Sequence, residues 1–369
     1  MKRCNVTNVW MKWIYRLCPP VICLLILMSS CKQQPQRAVE RGFYYWKSKL
    51  QLGNSELNSL QQLKAKHLYV KFFDVTLAND GNGPVPVARL TADSLSLAQL
   101  CKQTIEIIPV VFITNETFLE TDSAGLRLLA QNIATLLSNI SKQLQQEQYS
   151  ELQIDCDWTQ QTKAGYFFLL YEVRKQMQQS ALFKNSLLSA TIRLHQVKYS
   201  GKTGIPPVDK GLLMCYNMGN LKNPATNNSI IEVDELKKYL GGLSSYPLQL
   251  DVALPLFEWS VLFRKNQFLG IVQTMNPSTL PSSICSKQQN RYQFLVDTSI
   301  SYIQFYKGDV LRYEESTAAV LQQTAAYVAA ELSPVNQQTR ILFYHLDPLL
   351  LSKHPTHELE ALYSRFHQQ

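Results

Sequence analysis

The chain has 369 residues, of which 46% are hydrophobic and 17% charged, with only 14 glycines. That balance excludes a disordered or collagen-like chain and fits one large globular domain of the α/β barrel kind, or two smaller ones. The net charge of +8 is mild, and no basic patch interleaves with aromatics, so nucleic acid is not an expected partner.

Residues 1–30 differ from the rest. Lys2, Arg3, Lys12 and Arg16 come without an acid, and an apolar run from Val21 to Met28 leads to Ser29, Ser30 and Cys31. This order of basic, apolar and small residues describes a secretory signal. The run falls short of the ~20 apolar residues that span a bilayer. Met28-Ser29-Ser30-Cys31 resembles a bacterial lipobox, which implies lipidation at Cys31, contact with a membrane through that anchor, and a place in the bacterial cell envelope. A cut before Cys31 removes the four basic residues and leaves a net charge of +4 from the original +8. Residues 31–42 are polar and Gln-rich, and read as a tether; residues 43–369 are the expected folded domain. In it Cys101, Cys156, Cys215 and Cys285 form no C-x-x-C pair, so neither a zinc ribbon nor a redox motif is indicated. No metal or other cofactor is expected.

The domain opens with an aromatic strand at 43–46. Asn54 and Ser55 can cap a helix with Leu57, Leu60 and Leu63 on one side. A second strand spans 67–75 and closes in an Asn, Gly and Pro-rich loop at 79–86. A third spans 105–114, and Asp122 opens a long amphipathic helix through Leu126, Leu129, Ile133, Leu136 and Ile140. The fourth strand, 151–159, is followed by a helix around 166–177. The fifth is 188–195, with Ser189, Thr191, Arg193 and His195 on one face. The sixth is 211–217, followed by a helix at 233–240 that stops at Gly241-Gly242. The seventh is 248–255. In 256–315 the helical rhythm lapses into strand-like pieces around a Pro and Ser-rich turn, which reads as an insertion. A helix at 317–332, an eighth strand at 340–346 and a helix at 357–366 complete the chain.

Eight strands alternating with helices, several apolar on both faces, predict an α/β fold: a (β/α)8 TIM barrel with a β-rich insertion between the seventh strand and the last helices. An open doubly wound sheet is the alternative, but no G-x-G-x-x-G or phosphate loop occurs. Barrel chemistry sits at the C-terminal strand ends, where the candidates are Trp46, Asn115, Asp155, Asp157, Trp158, Arg193, His195, Tyr216, Asn217, Asp251, Trp259 and Asp347. Acids, amides and aromatics together suit carbohydrate, whose hydroxyls take polar partners while its C–H faces stack on rings.

The fourth strand is the most informative stretch. Side chains two apart share a face, so Gln153, Asp155, Asp157 and Thr159 line one side, and Leu152, Ile154, Cys156 and Trp158 the other. Asp is depleted in strands and like charges on one buried face repel. The Asp pair therefore marks either an edge or strand end with both carboxylates in water, or a pair held at the mouth of a sheet for proton chemistry, metal binding or ligand hydroxyls. The flanking apolar residues favour the second.

Asp155-Cys156-Asp157 resembles the D-x-D core of the D-x-x-D-x-D-x-E motif of family 18 glycoside hydrolases, the chitinase group. Met214-Cys215-Tyr216-Asn217 is similar to that group's M-x-Y-D segment. The runs at 69–75 and 151–159 also resemble an uncharacterised family of lipoproteins from Bacteroidetes-type bacteria. The likeness to the hydrolases implies a glycan partner and acid/base hydrolysis, with Asp155, Asp157 and Tyr216 as the catalytic group and the remaining candidates as substrate contacts. The chain departs from the motif at its ends, with Leu152 for the first Asp and Thr159 for the Glu that protonates the leaving oxygen. A hydroxyl cannot replace such an acid. Same-side strand positions lie roughly 6–7 Å apart, between the carboxylate spacings of retaining and inverting enzymes. Two functions therefore stand side by side: hydrolysis of a cell-envelope or environmental glycan through the Asp pair, or glycan binding or envelope assembly without hydrolysis on the same barrel.

Overall fold

The structure, a computed structural model, describes residues 37–78, 81, 83–273, 275–333 and 338–367. The expected signal segment, Cys31 and the first part of the tether lie outside the described residues. Eight parallel strands form the centre: β1 Ala38–Tyr45, β2 His67–Leu77, β3 Glu106–Ile113, β4 Glu151–Asp155, β5 Leu187–Arg193, β6 Lys210–Met214, β7 Leu250–Pro255 and β8 Gln338–Tyr344. Each pairs with the next. Strand β1 pairs with both β2, Gly42 opposite His67, and β8, Ala38 opposite Gln338, so the sheet closes into a (β/α)8 barrel.

The β1 strand starts at Ala38, inside the stretch read as tether, because Ala38, Val39, Glu40 and Arg41 pair along β8. The strands are apolar on their outer faces because the helices cover them. Asp122 accepts from the backbone of Gly125 at 2.8 Å and starts the helix Ser123–Gln143. The helix Val233–Leu240 ends at Gly241. Among the described residues no helix is long and apolar enough to cross a membrane. A short strand, Pro84–Val87, forms a hairpin with the end of β2 where the sequence suggested only a loop.

Inside the ring the filling is polar. At the N-terminal end, Glu151 meets Lys210 at 2.9 Å and Arg340 at 2.5 Å, and Lys210 meets Asp251 at 2.6 Å. Tyr69 and Ser189 donate to the same Glu151 carboxylate. His67 is held between Glu40 at 2.9 Å and Glu106 at 3.0 Å. This charged layer plugs the bottom of the barrel, and above it the Tyr44 hydroxyl donates to Gln153.

Residues 256–315 form a five-stranded antiparallel sheet, in the order Gln267–Val272, Glu258–Arg264, Val310–Glu315, Arg291–Phe294, Cys285–Gln288. It has its own small core, with Leu262, Phe294, Phe305 and Leu311 buried and the rings of Phe294 and Phe305 stacked at 4.4 Å.

Candidate functional site

At the C-terminal end of the barrel, a cavity of about 440 Å³ is lined by Trp46, Lys47, Phe112, Asp155, Asp157, Arg193, Met214, Tyr216, Asn217, Phe257, Trp259, Gln273, Tyr344 and His345. Asp155, Asp157, Tyr216, Trp46, Arg193, Asn217 and Trp259 are thus brought together as expected.

Asp155 ends β4 and points into the ring, only 8% exposed. Its Oδ1 accepts from the Thr191 hydroxyl at 2.6 Å. Burial, and then the charge of Asp157, push its carboxyl up to about 7, against the Thr191 bond and the Arg193 charge. A carboxyl so placed is part acid and part carboxylate near neutral pH.

Asp157 lies past the strand end. Arg193 grips both its oxygens, Nε to Oδ1 at 2.5 Å and Nη2 to Oδ2 at 2.6 Å. Burial alone would lower the Arg193 pKa, but the bond and charge of Asp157 raise it, so the guanidinium stays charged. The pair is a fork-to-fork contact of the strong, oriented kind.

The walls are aromatic. Tyr344 sits 5.5 Å from Trp46 and 5.2 Å from Tyr216, and Phe257 joins Tyr216 at 5.9 Å to Trp259 at 5.1 Å. Burial raises the Tyr216 phenol well above its usual range, which leaves it a hydrogen-bond donor rather than a base. His345 presents a buried Nδ1 without a hydrogen-bond partner, and burial lowers its pKa, so it faces the cavity as a neutral imidazole. Lys47 is paired with Asp347 at 2.7 Å.

The other expected contacts lie elsewhere. Thr159 is exposed, its amide donating to the Thr162 hydroxyl, which in turn donates to Asn115 at 2.6 Å; Asn115 braces a loop and does not line the cavity. Trp158 is fully buried on the outer face of the barrel, stacked on Tyr166 at 5.0 Å with its indole N–H on the Thr203 carbonyl. It is core. His195 does not continue the β5 alternation, because the helix Leu194–Lys198 begins there and leaves it exposed. Asp251 is the second residue of β7 and belongs to the charged plug at the opposite end. Asp347 caps the helix Pro348–Lys353, accepting from Leu349, and reaches the cavity only through Lys47. Sequence reading missed Lys47, Phe112, Met214, Phe257, Gln273, Tyr344 and His345. Tyr344 and His345 lie within the eighth strand as read, 340–346, and the two-residue parity from Arg340 was the signal available for Tyr344.

Among the described residues, no cluster of three or more His, Cys, Asp or Glu side chains could hold a metal ion. The buried Cys156 and Cys215 are thiols that burial keeps protonated.

The placement of Trp158 predicts that Trp158→Phe lowers unfolding free energy by about 1–2 kcal/mol, through lost area and the lost N–H bond. Affinity for any ligand of the cavity should stay unchanged. Denaturant titration and ligand titration of the same variant check both halves.

No protein-family model matches the chain, and no curated protein matches it in sequence. Solved structures do match in shape. The spore cortex-lytic enzyme SleL of Bacillus cereus aligns over 90% of this chain and 75% of its own, with a TM-score of 0.53 and 14% identity. A chitinase from Chromobacterium violaceum aligns over 90% of this chain and 98% of its own, at 0.52 and 12%. The corresponding SleL of Bacillus megaterium gives 0.51 and 11%. At such identities the likeness establishes the (β/α)8 barrel architecture alone.

Proposed function

We propose that the cavity binds a neutral glycan of the N-acetylhexosamine class and holds it without cleaving it. The observation that carries this is the state of the carboxylates. Glycoside hydrolysis needs one group to protonate the leaving oxygen and a second carboxylate to act on the sugar. Here Asp157 is engaged on both oxygens by Arg193, and position 159 is a threonine turned into a loop. The cavity instead offers what sugars bind to: flat rings at Trp46, Tyr344 and Trp259, with polar partners at Asn217, Gln273 and Tyr216. Its cations, Arg193 and Lys47, are matched by Asp157 and Asp347, which disfavours an anionic ligand. The structural neighbours, a chitinase and two spore cortex-lytic enzymes, agree with the sugar class.

A second reading is favoured by one observation, the Asp155 carboxyl at about 7. Protonated in part at neutral pH, it could serve as the acid of a slow hydrolysis. Titration calorimetry with an N-acetylglucosamine tetramer, run beside chromatography of the same mixture, separates the two. Saturable binding with no shorter sugars is expected, and Trp46→Ala should bind about tenfold more weakly for loss of a stacking ring. Shorter sugars that vanish in Asp155→Asn would establish hydrolysis. No binding by the parent protein would remove the glycan reading.

A further inference from the structure

We propose that Glu314, half of a buried ion pair in the insertion, is a positioning residue that fixes the face Trp259 presents to the sugar. This rests on the glycan reading above.

Glu314 lies in the strand Val310–Glu315 and is almost wholly buried. Its Oε2 accepts from the Trp259 indole N–H at 2.8 Å and from the Ser229 amide at 2.9 Å, with the Ser229 hydroxyl as a third donor. Its Oε1 accepts from Arg312 Nε. Arg312, equally buried, sends its remaining N–H groups to the carbonyls of Asn223 at 2.6 Å and Leu221 at 3.0 Å. Ser229, Asn223 and Leu221 all belong to the loop 215–232, whose Asn217 lines the cavity, as does Trp259. One carboxylate therefore ties the ring on the insertion side to the loop on the barrel side. A platform held in its binding orientation loses less entropy on binding than one free to rotate.

The chemistry makes Glu314→Gln informative. Both carboxylate oxygens accept from donors, so an amide must turn its NH2 toward a donor on one side. The indole then loses its charge-assisted partner. Trp259→Phe removes the donor while keeping a flat ring and leaves the Glu314–Arg312 pair intact.

The test uses the full chain. Solvent exchange of the Trp259 indole proton, assigned by its absence in Trp259→Phe, is expected to be about tenfold faster in Glu314→Gln. In titrations with an N-acetylglucosamine tetramer each single variant should bind about tenfold more weakly, and the double variant no worse than Trp259→Phe alone. Unchanged indole exchange, or losses that simply add, would overturn the assignment. A parent chain that does not bind the sugar would overturn the glycan reading, and indole exchange would still decide what Glu314 does. Should Glu314→Gln fail to fold, Trp259→Phe binding as tightly as the parent would overturn it.

Discussion

Replacing Glu151 with alanine is expected to lower the unfolding free energy by about 3–5 kcal/mol, the range for breaking a buried ion pair by removing one partner. Glu151 is fully buried, forms an ion pair with Lys210, and accepts from Arg340, Tyr69 and Ser189. Its loss leaves two cations facing each other across the bottom of the barrel, with Asp251 and Glu40 as their remaining counter-charges. In the parent, burial would depress the Lys210 and Arg340 pKa values, and the surrounding phenol and carboxylates, Glu151 among them, raise them instead, so both cations are held charged. The exposed pair Lys237–Asp234 is the control, since Asp234→Ala should cost less than about 1 kcal/mol. Urea unfolding of both variants reads the difference. A Glu151→Ala loss no larger than the Asp234→Ala loss would mean that the plug is solvated.

That plug shows where strand parity was legible and where it was not. The alternation that placed Gln153 and Asp155 on one face extends to Glu151, and all three do face inward. Trp158 was correctly assigned to the opposite face by the same count; a residue on that face meets the helices, which is why its ring is core and no sugar platform. The count failed where a strand stopped. Hydrogen bonding to neighbours ends β4 at Asp155 and β5 at Arg193, and the Gln196 side chain accepts from the Arg193 amide to begin a helix there. Asp251 was misplaced because the apolar run at 248–255 does not show which end of the strand a charge occupies. The strand begins at Leu250, which sets Asp251 near its N-terminal end, beside Lys210 on the adjacent strand.

The cavity was legible in outline for the same reason. Residues at the tops of strands converge because closure brings every C-terminal strand end to one rim. Gln273, arriving from the insertion, had no local signal, and neither did the Glu314 contact to Trp259, which spans 55 residues of sequence. The occupation of Asp157 by Arg193 could be anticipated as a pairing, but not that both oxygens are taken. That detail moves the balance from cleavage toward binding.

Asp155→Asn is expected to stabilise the protein at neutral and alkaline pH while leaving it almost unchanged in acid. A native carboxyl raised to about 7 from a free value near 3.9 holds its proton more tightly in the folded state. The folded protein binds more protons than the unfolded chain between those values, so stability falls as pH rises through that window. A difference of about three units at ~1.4 kcal/mol each sets an upper scale, and an effect on the order of 3 kcal/mol above pH 7 is expected. Asparagine keeps the shape and an oxygen for Thr191, which limits compensating losses. Other groups oppose this slope: His345 and His354, with pKa values lowered by burial, lose stability as pH falls, and so do Glu40 and Glu106, where opposite charges outweigh burial. The difference between parent and variant, rather than either curve alone, therefore carries the measurement. Parallel curves from pH 4 to 9 would show that Asp155 is ionised like a surface carboxylate, and the argument for a proton held at the head of the barrel would go with it.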